Sequence, residues 1–125
     1  MDWVVQIGLV ELAIGGLLGW AMVIRGERPE WLRRIGIVAP QRIRQVHLDY
    51  VMMGLILIGV GLAVPDLPTA MAIALVFGTA VNPFLFLPLA FAPDTEGRLW
   101  YRSVAVVSFV GVSGGLVAAA VVGPG

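Results

Sequence analysis

The stretch Ile43-Arg44-Gln45-Val46-His47-Leu48-Asp49-Tyr50-Val51-Met52-Met53-Gly54-Leu55-Ile56-Leu57-Ile58-Gly59-Val60-Gly61-Leu62-Ala63-Val64, stopped by Pro65, decides the fold class. A helix needs about 20 mostly apolar residues to cross roughly 30 Å of hydrocarbon. This run has that length, and beyond Asp49 it carries no charge. It reads as a membrane span with its polar groups gathered at one end. Three more segments read the same way: about 3–24, about 69–92 between Pro68 and Pro93, and about 100–122 before Gly123-Pro124-Gly125. None alternates with a two-residue period, which excludes a closed β-barrel. The expectation is an all-α, four-transmembrane-helix bundle, homo-oligomeric, forming a single integral membrane domain over 1–125.

Composition agrees. Of 125 residues, 59% are hydrophobic and 13% charged, with a mean hydropathy of +0.95. Soluble domains carry about 25% charged residues. The net charge is zero, and no basic cluster is dense enough for nucleic acid. All eight basic residues are Arg, so Schiff-base chemistry on Lys is excluded. The lack of Cys removes disulfides, iron–sulfur clusters, thiolate-ligated haem and covalent c-type haem. Met1-Asp2-Trp3 has no basic n-region, so the first apolar stretch reads as a true span.

Charge asymmetry sets the expected orientation. The long connection 25–42 carries Arg25, Arg28, Arg33, Arg34 and Arg42, and 93–99 adds Arg98. The opposite side holds Asp2 and Asp66 and no basic residue. The positive-inside rule therefore puts the loops 25–42 and 93–99 in the cytoplasm and both termini outside. Trp31, Leu32, Ile35, Ile37 and Val38 are interleaved with the loop arginines. This pattern predicts a short interfacial amphipathic helix over about 29–38 with Pro29 in its first turn. Gly15 and Gly19, and Gly111 and Gly115, are spaced four apart. Such small residues let helix backbones approach closely, within one chain or between subunits.

Few polar residues lie within the spans, and ionisable groups there are costly and tend to be functional. Glu11 sits near the middle of the first span. It is a proton or cation site, a general acid, or a protonated carboxyl bonded to a neighbouring helix. His47, the only histidine, is a candidate metal or haem-iron ligand, since neutral imidazole is the commonest such group. By helical spacing it shares a face with Arg44, Tyr50, Val51 and Gly54. Gly54 would leave open space near the ring for a flat macrocycle. Asp49 points elsewhere and is expected to pair with Arg42 or Arg102. Asn82 precedes Pro83, which removes a backbone hydrogen bond, and Pro88 repeats the perturbation. The third span is thus expected to be irregular, with a pocket opening near the level of His47. Met52 and Met53 read as soft packing surface. There is no Ser–His–Asp triad, phosphate loop or multi-ligand metal cluster.

The residues 47–54, His47-Leu48-Asp49-Tyr50-Val51-Met52-Met53-Gly54, together with Gly59, Gly61 and Pro65, resemble the second helix of the styrene oxide isomerase and hydroxylaminobenzene mutase-like membrane proteins. Phe77-Gly78-Thr79-Ala80-Val81-Asn82 is similar to the aromatic-Gly-Thr-x-x-Asn segment of that group. The likeness covers about 43–84. It implies a homotrimer in the bacterial inner membrane, with haem b bound between subunits and His47 as axial ligand. It also implies an isomerase in which ferric iron acts as a Lewis acid on a small apolar epoxide. Tyr50 and Gly54 would border the haem, and Met53, Asn82 and Glu11 the substrate. Two positions depart from the family pattern. Met53 stands six residues after the histidine, where the family has Asn, and the third span has no Tyr. Two other readings stay open: a non-catalytic membrane subunit that binds a partner protein, and a small transporter built on Glu11.

Overall fold

The computed structural model describes residues 2–125; Met1, part of the N-terminal reading above, lies outside the described residues. The elements are α1 (Asp2–Glu27), α2 (Pro29–Arg34), α3 (Gln41–Ala63), α4 (Thr69–Phe84), α5 (Phe86–Phe91), a 3-10 turn (Pro93–Gly97) and α6 (Leu99–Val122). There is no strand among the described residues. α1, α3, α6 and the α4–α5 stretch Thr69–Phe91 are each long and apolar enough to cross a bilayer. The chain is an all-α, multi-pass membrane protein.

The four spans pack as a row. α1 lies along α3, α6 lies along α4, and the two pairs join through α3 with α4 and α5. α1 touches α4 over a short length, and α1 and α6 share no packing face of comparable extent. Lipid tails are as apolar as Leu, so close approach rather than hydrophobic burial must hold such helices together. The α1 seam is Val4, Gly8, Glu11 and Gly15, one residue per turn. A Cβ on Gly54 would lie 2.7 Å from the carbonyl oxygen of Gly8 and 2.7 Å from the amide nitrogen of Leu12. α1 and α3 therefore meet backbone to backbone. α4 and α6 do the same, where Gly78 lies against the Ser108 carbonyl and a Cβ on Gly111 would sit 2.6 Å from that of Ala74.

Three packed regions follow along the row. Val4, Leu57, Val64, Leu67, Ala72, Leu75, Val112 and Ala119 form an apolar core at the end bearing the 64–68 connection. Leu32, Ile37, Ile43 and Ala90 seal the opposite end beneath the long loop. Leu85, Leu89 and Tyr101 pack α5 against α6.

The interfacial helix is shorter than its pattern suggests. Pro29 takes the first helical turn, as expected, but the helix stops at Arg34 instead of continuing to 38. Gly36 adopts φ +94°, a left-handed conformation open to glycine. It places the Gly36 amide on the Arg33 carbonyl and the Ile37 amide on the Leu32 carbonyl, a Schellman stop. Val38 and Ala39 then donate to the single carbonyl of Ala90, at 2.8 and 3.0 Å. The third span is irregular as expected: α4 ends at Phe84, just past Pro83, and α5 resumes at Phe86.

Candidate functional site

Glu11, Thr79 and Tyr50 tie α1 and α3 to α4. Glu11 on α1 is 3% exposed and reaches Thr79 on α4, whose hydroxyl donates to Glu11 Oε2 at 3.0 Å. The other carboxyl oxygen, Oε1, is buried without a hydrogen-bond partner. Thr79 also lies 3.1 Å from the Val76 carbonyl. It has one hydroxyl proton for these two acceptors, so the bonds compete unless the carboxyl itself supplies a proton.

Tyr50 crosses from α3 to donate to the Ala80 carbonyl at 2.8 Å. Tyr101 crosses from α6 to donate to the Leu85 carbonyl, also at 2.8 Å. The two phenols bracket Pro83, where the helix ladder is broken. The third span has no Tyr of its own, yet both tyrosines of the chain end on its backbone. Asn82, half-buried at the same break, accepts a weak 3.4 Å hydrogen bond from Ser108 on α6.

His47 lies at the α1–α3 seam, half-buried. Its Nδ1 is bonded to the carbonyl oxygen of Gly15. A carbonyl only accepts, so Nδ1 carries the proton, and in the neutral ring Nε2 keeps the lone pair. Gly19 leaves the ring edge uncovered: a Cβ there would sit 3.4 Å from His47 Cε1. Backbone anchoring of one imidazole nitrogen is the usual arrangement around a metal-ligating histidine.

The remaining expected site residues separate from the exposed side of this ring. The space that Gly54 was expected to leave for a macrocycle is filled by the α1 backbone at Gly8 and Leu12. Met53 is buried and Tyr50 is committed to α4. Asp49 does not pair with Arg42 or Arg102. Arg42 bonds Gln45 and Glu96 instead, at 2.9 and 3.3 Å, and Arg102 reaches the Glu96 backbone carbonyl. Asp49 borders a shallow depression of about 210 Å³ with Gln45, Leu48, Met52 and Phe86. No group of three or more His, Cys, Asp or Glu residues gathers to hold a metal ion among the described residues.

Thr79, named above only as part of the stretch 77–82, and Ser108 are the polar partners to which the sequence assigned no role. Thr79 was legible as the one hydroxyl in the middle of the third span. Ser108 had no such signal.

Compared with protein-family models, curated proteins and solved structures, the chain matches none.

Proposed function

We propose that this chain binds haem b through His47 and acts as a styrene oxide isomerase-like enzyme on a small apolar epoxide. The observation that carries the proposal is the bond from His47 Nδ1–H to the Gly15 carbonyl. It holds the ring in one tautomer and leaves the Nε2 lone pair free, so that His47 would hold an iron through that atom. The lack of Cys fits a non-covalent b-type group. When bound, ferric haem supplies a Lewis acid for ring opening of an epoxide to a carbonyl compound.

The chain's own residues have definable tasks. The Gly15 carbonyl orients the imidazole. Gly19 keeps the ring edge accessible. Arg44, three residues before His47 and exposed, would supply a cation for an acidic group of the cofactor. Tyr50 and Gly54 do not fit a macrocycle contact, because Tyr50 is bonded to the Ala80 carbonyl and Gly54 lies against the α1 backbone. The half-exposed position of His47 suits a cofactor shared between subunits, hence a homo-oligomer, a trimer by the resemblance. The setting is the bacterial inner membrane, with the termini outside and the arginine-rich loops cytoplasmic.

The test is the visible spectrum of the detergent-purified protein after haem reconstitution. A Soret band that vanishes in His47→Gly and returns with added imidazole supports the reading. A wild-type protein that stays colourless overturns it.

The unpartnered, buried Oε1 of Glu11 favours a second reading, a proton or cation site in a small transporter. Binding of a lipophilic cation that is lost in Glu11→Gln would support it.

A further inference from the structure

A cavity of about 510 Å³ opens where the end of α1, α2 and the 37–40 segment meet, lined by Arg25, Pro29, Leu32, Arg33, Ile37, Val38 and Pro40. The volume lies in the range of small-molecule sites, about 300–1,000 Å³. Its lining joins two guanidinium groups to an apolar wall and includes no acidic residue. Among the described residues, neither Arg25 nor Arg33 forms a hydrogen bond or ion pair through its side chain, whereas Arg42 is held by Glu96. Two unpaired cations beside an apolar slot suit an amphiphile with an anionic head.

Three features point to a membrane lipid as its source. Arg25 closes the first span, so the cavity stands at the level where the apolar helix ends. Trp31, Ile35 and Val38 are all more than half exposed beside Arg33 and Arg34, the pattern of a segment lying in the headgroup layer. The wall is also preformed. The Gly36 stop fixes α2, the Ala90 carbonyl holds Val38 and Ala39, and Leu32 and Ile37 are anchored in the core beneath the loop. A site already shaped loses less entropy on binding than a mobile loop would.

We infer that this cavity is a binding site for an anionic phospholipid, with its phosphate between Arg25 and Arg33 and the start of an acyl chain against Leu32, Ile37 and Val38. Arg is suited to this task, because its planar fork can donate two parallel hydrogen bonds to phosphate oxygens. The site is independent of His47 and of any haem.

The experiment is native mass spectrometry of the full chain in a neutral detergent, titrated with dioleoyl phosphatidylglycerol or dioleoyl phosphatidylcholine. Saturable binding of one phosphatidylglycerol per chain, preferred over phosphatidylcholine, is expected. Arg25→Gln with Arg33→Gln should weaken it about tenfold or more, since each charge-assisted bond is worth roughly that factor. Arg28→Gln with Arg34→Gln removes the same charge from the same loop outside the cavity and should change binding only a few-fold. Val38→Trp, at an exposed position, should fill the apolar slot and also weaken binding. Equal losses in the two arginine pairs, or no loss in either, would overturn the site. If sn-glycerol 3-phosphate displaces the lipid at equal concentration, the cavity takes a free anion and the lipid assignment fails.

Discussion

Glu11 and Thr79 are 68 positions apart in the chain and joined by a 3.0 Å hydrogen bond. The bond links α1 to α4 across the short stretch where those helices touch. Thr79→Val keeps the shape and removes the hydroxyl, leaving both carboxyl oxygens of Glu11 unpaired by side chains. A loss of about 1–3 kcal/mol is expected, the cost of an unsatisfied buried polar group. Denaturant unfolding in mixed micelles reads it. A Thr79→Val protein as stable as the wild type would refute the contact.

Gly54 bears on the fold before any site. Its missing Cβ lets α3 touch the backbone of α1 at Gly8 and Leu12. Gly54→Ala forces main chains apart, and overpacking of this kind costs about 1–3 kcal/mol. Gly59, five residues along the same helix, has nothing within 4 Å, so Gly59→Ala should be nearly neutral. Thermal melts of the two variants side by side make the comparison.

Tyr50 and Tyr101 grip the third span on either side of Pro83. Tyr50→Phe and Tyr101→Phe should each cost about 0.5–1.5 kcal/mol, the net worth of one hydrogen bond. The two bonds share no partner, so the double variant should show the sum. A cost well beyond the sum would mean that the phenols hold the broken helix jointly.

The haem proposal predicts a graded effect at Gly19. Gly19→Leu sets a branched side chain over the edge of His47 and should lower haem uptake, measured by Soret absorbance per chain. Gly114, which has nothing within 4 Å, serves as the control, and Gly114→Leu should leave uptake unchanged. Equal uptake in both variants would count against His47 as the ligand.

The Arg42–Glu96 pair is expected to matter little. The contact is 3.3 Å long, but the Glu96 side chain is 63% exposed. Arg42→Ala should cost less than about 1 kcal/mol, because solvent and salt screen such pairs.

Much of the fold was readable from local chemistry. Runs of about 20 apolar residues specify helical spans because a helix of that length crosses the hydrocarbon and satisfies every backbone group within one segment. Pro83 and Pro88 declared the irregular helix, since a missing amide acts locally. Pro29 likewise marked the start of the short loop helix, though its end escaped notice because the Gly36 stop depends on one left-handed residue.

What the sequence alone determined is the class of the protein, the number of its spans and which few polar groups lie within them. Only the tertiary structure decided what those groups touch. Asp49 was assigned Arg42 or Arg102, but Arg42 turned to the Glu96 side chain and Arg102 to the Glu96 carbonyl. Gly54 was assigned open space by spacing along one helix, and α1 filled it. Periodicity says which residues share a face, a property of one helix. Which helix lies against that face, and how closely, depends on pairings between residues far apart in the chain. Those pairings joined Glu11 to Thr79 and His47 to Gly15.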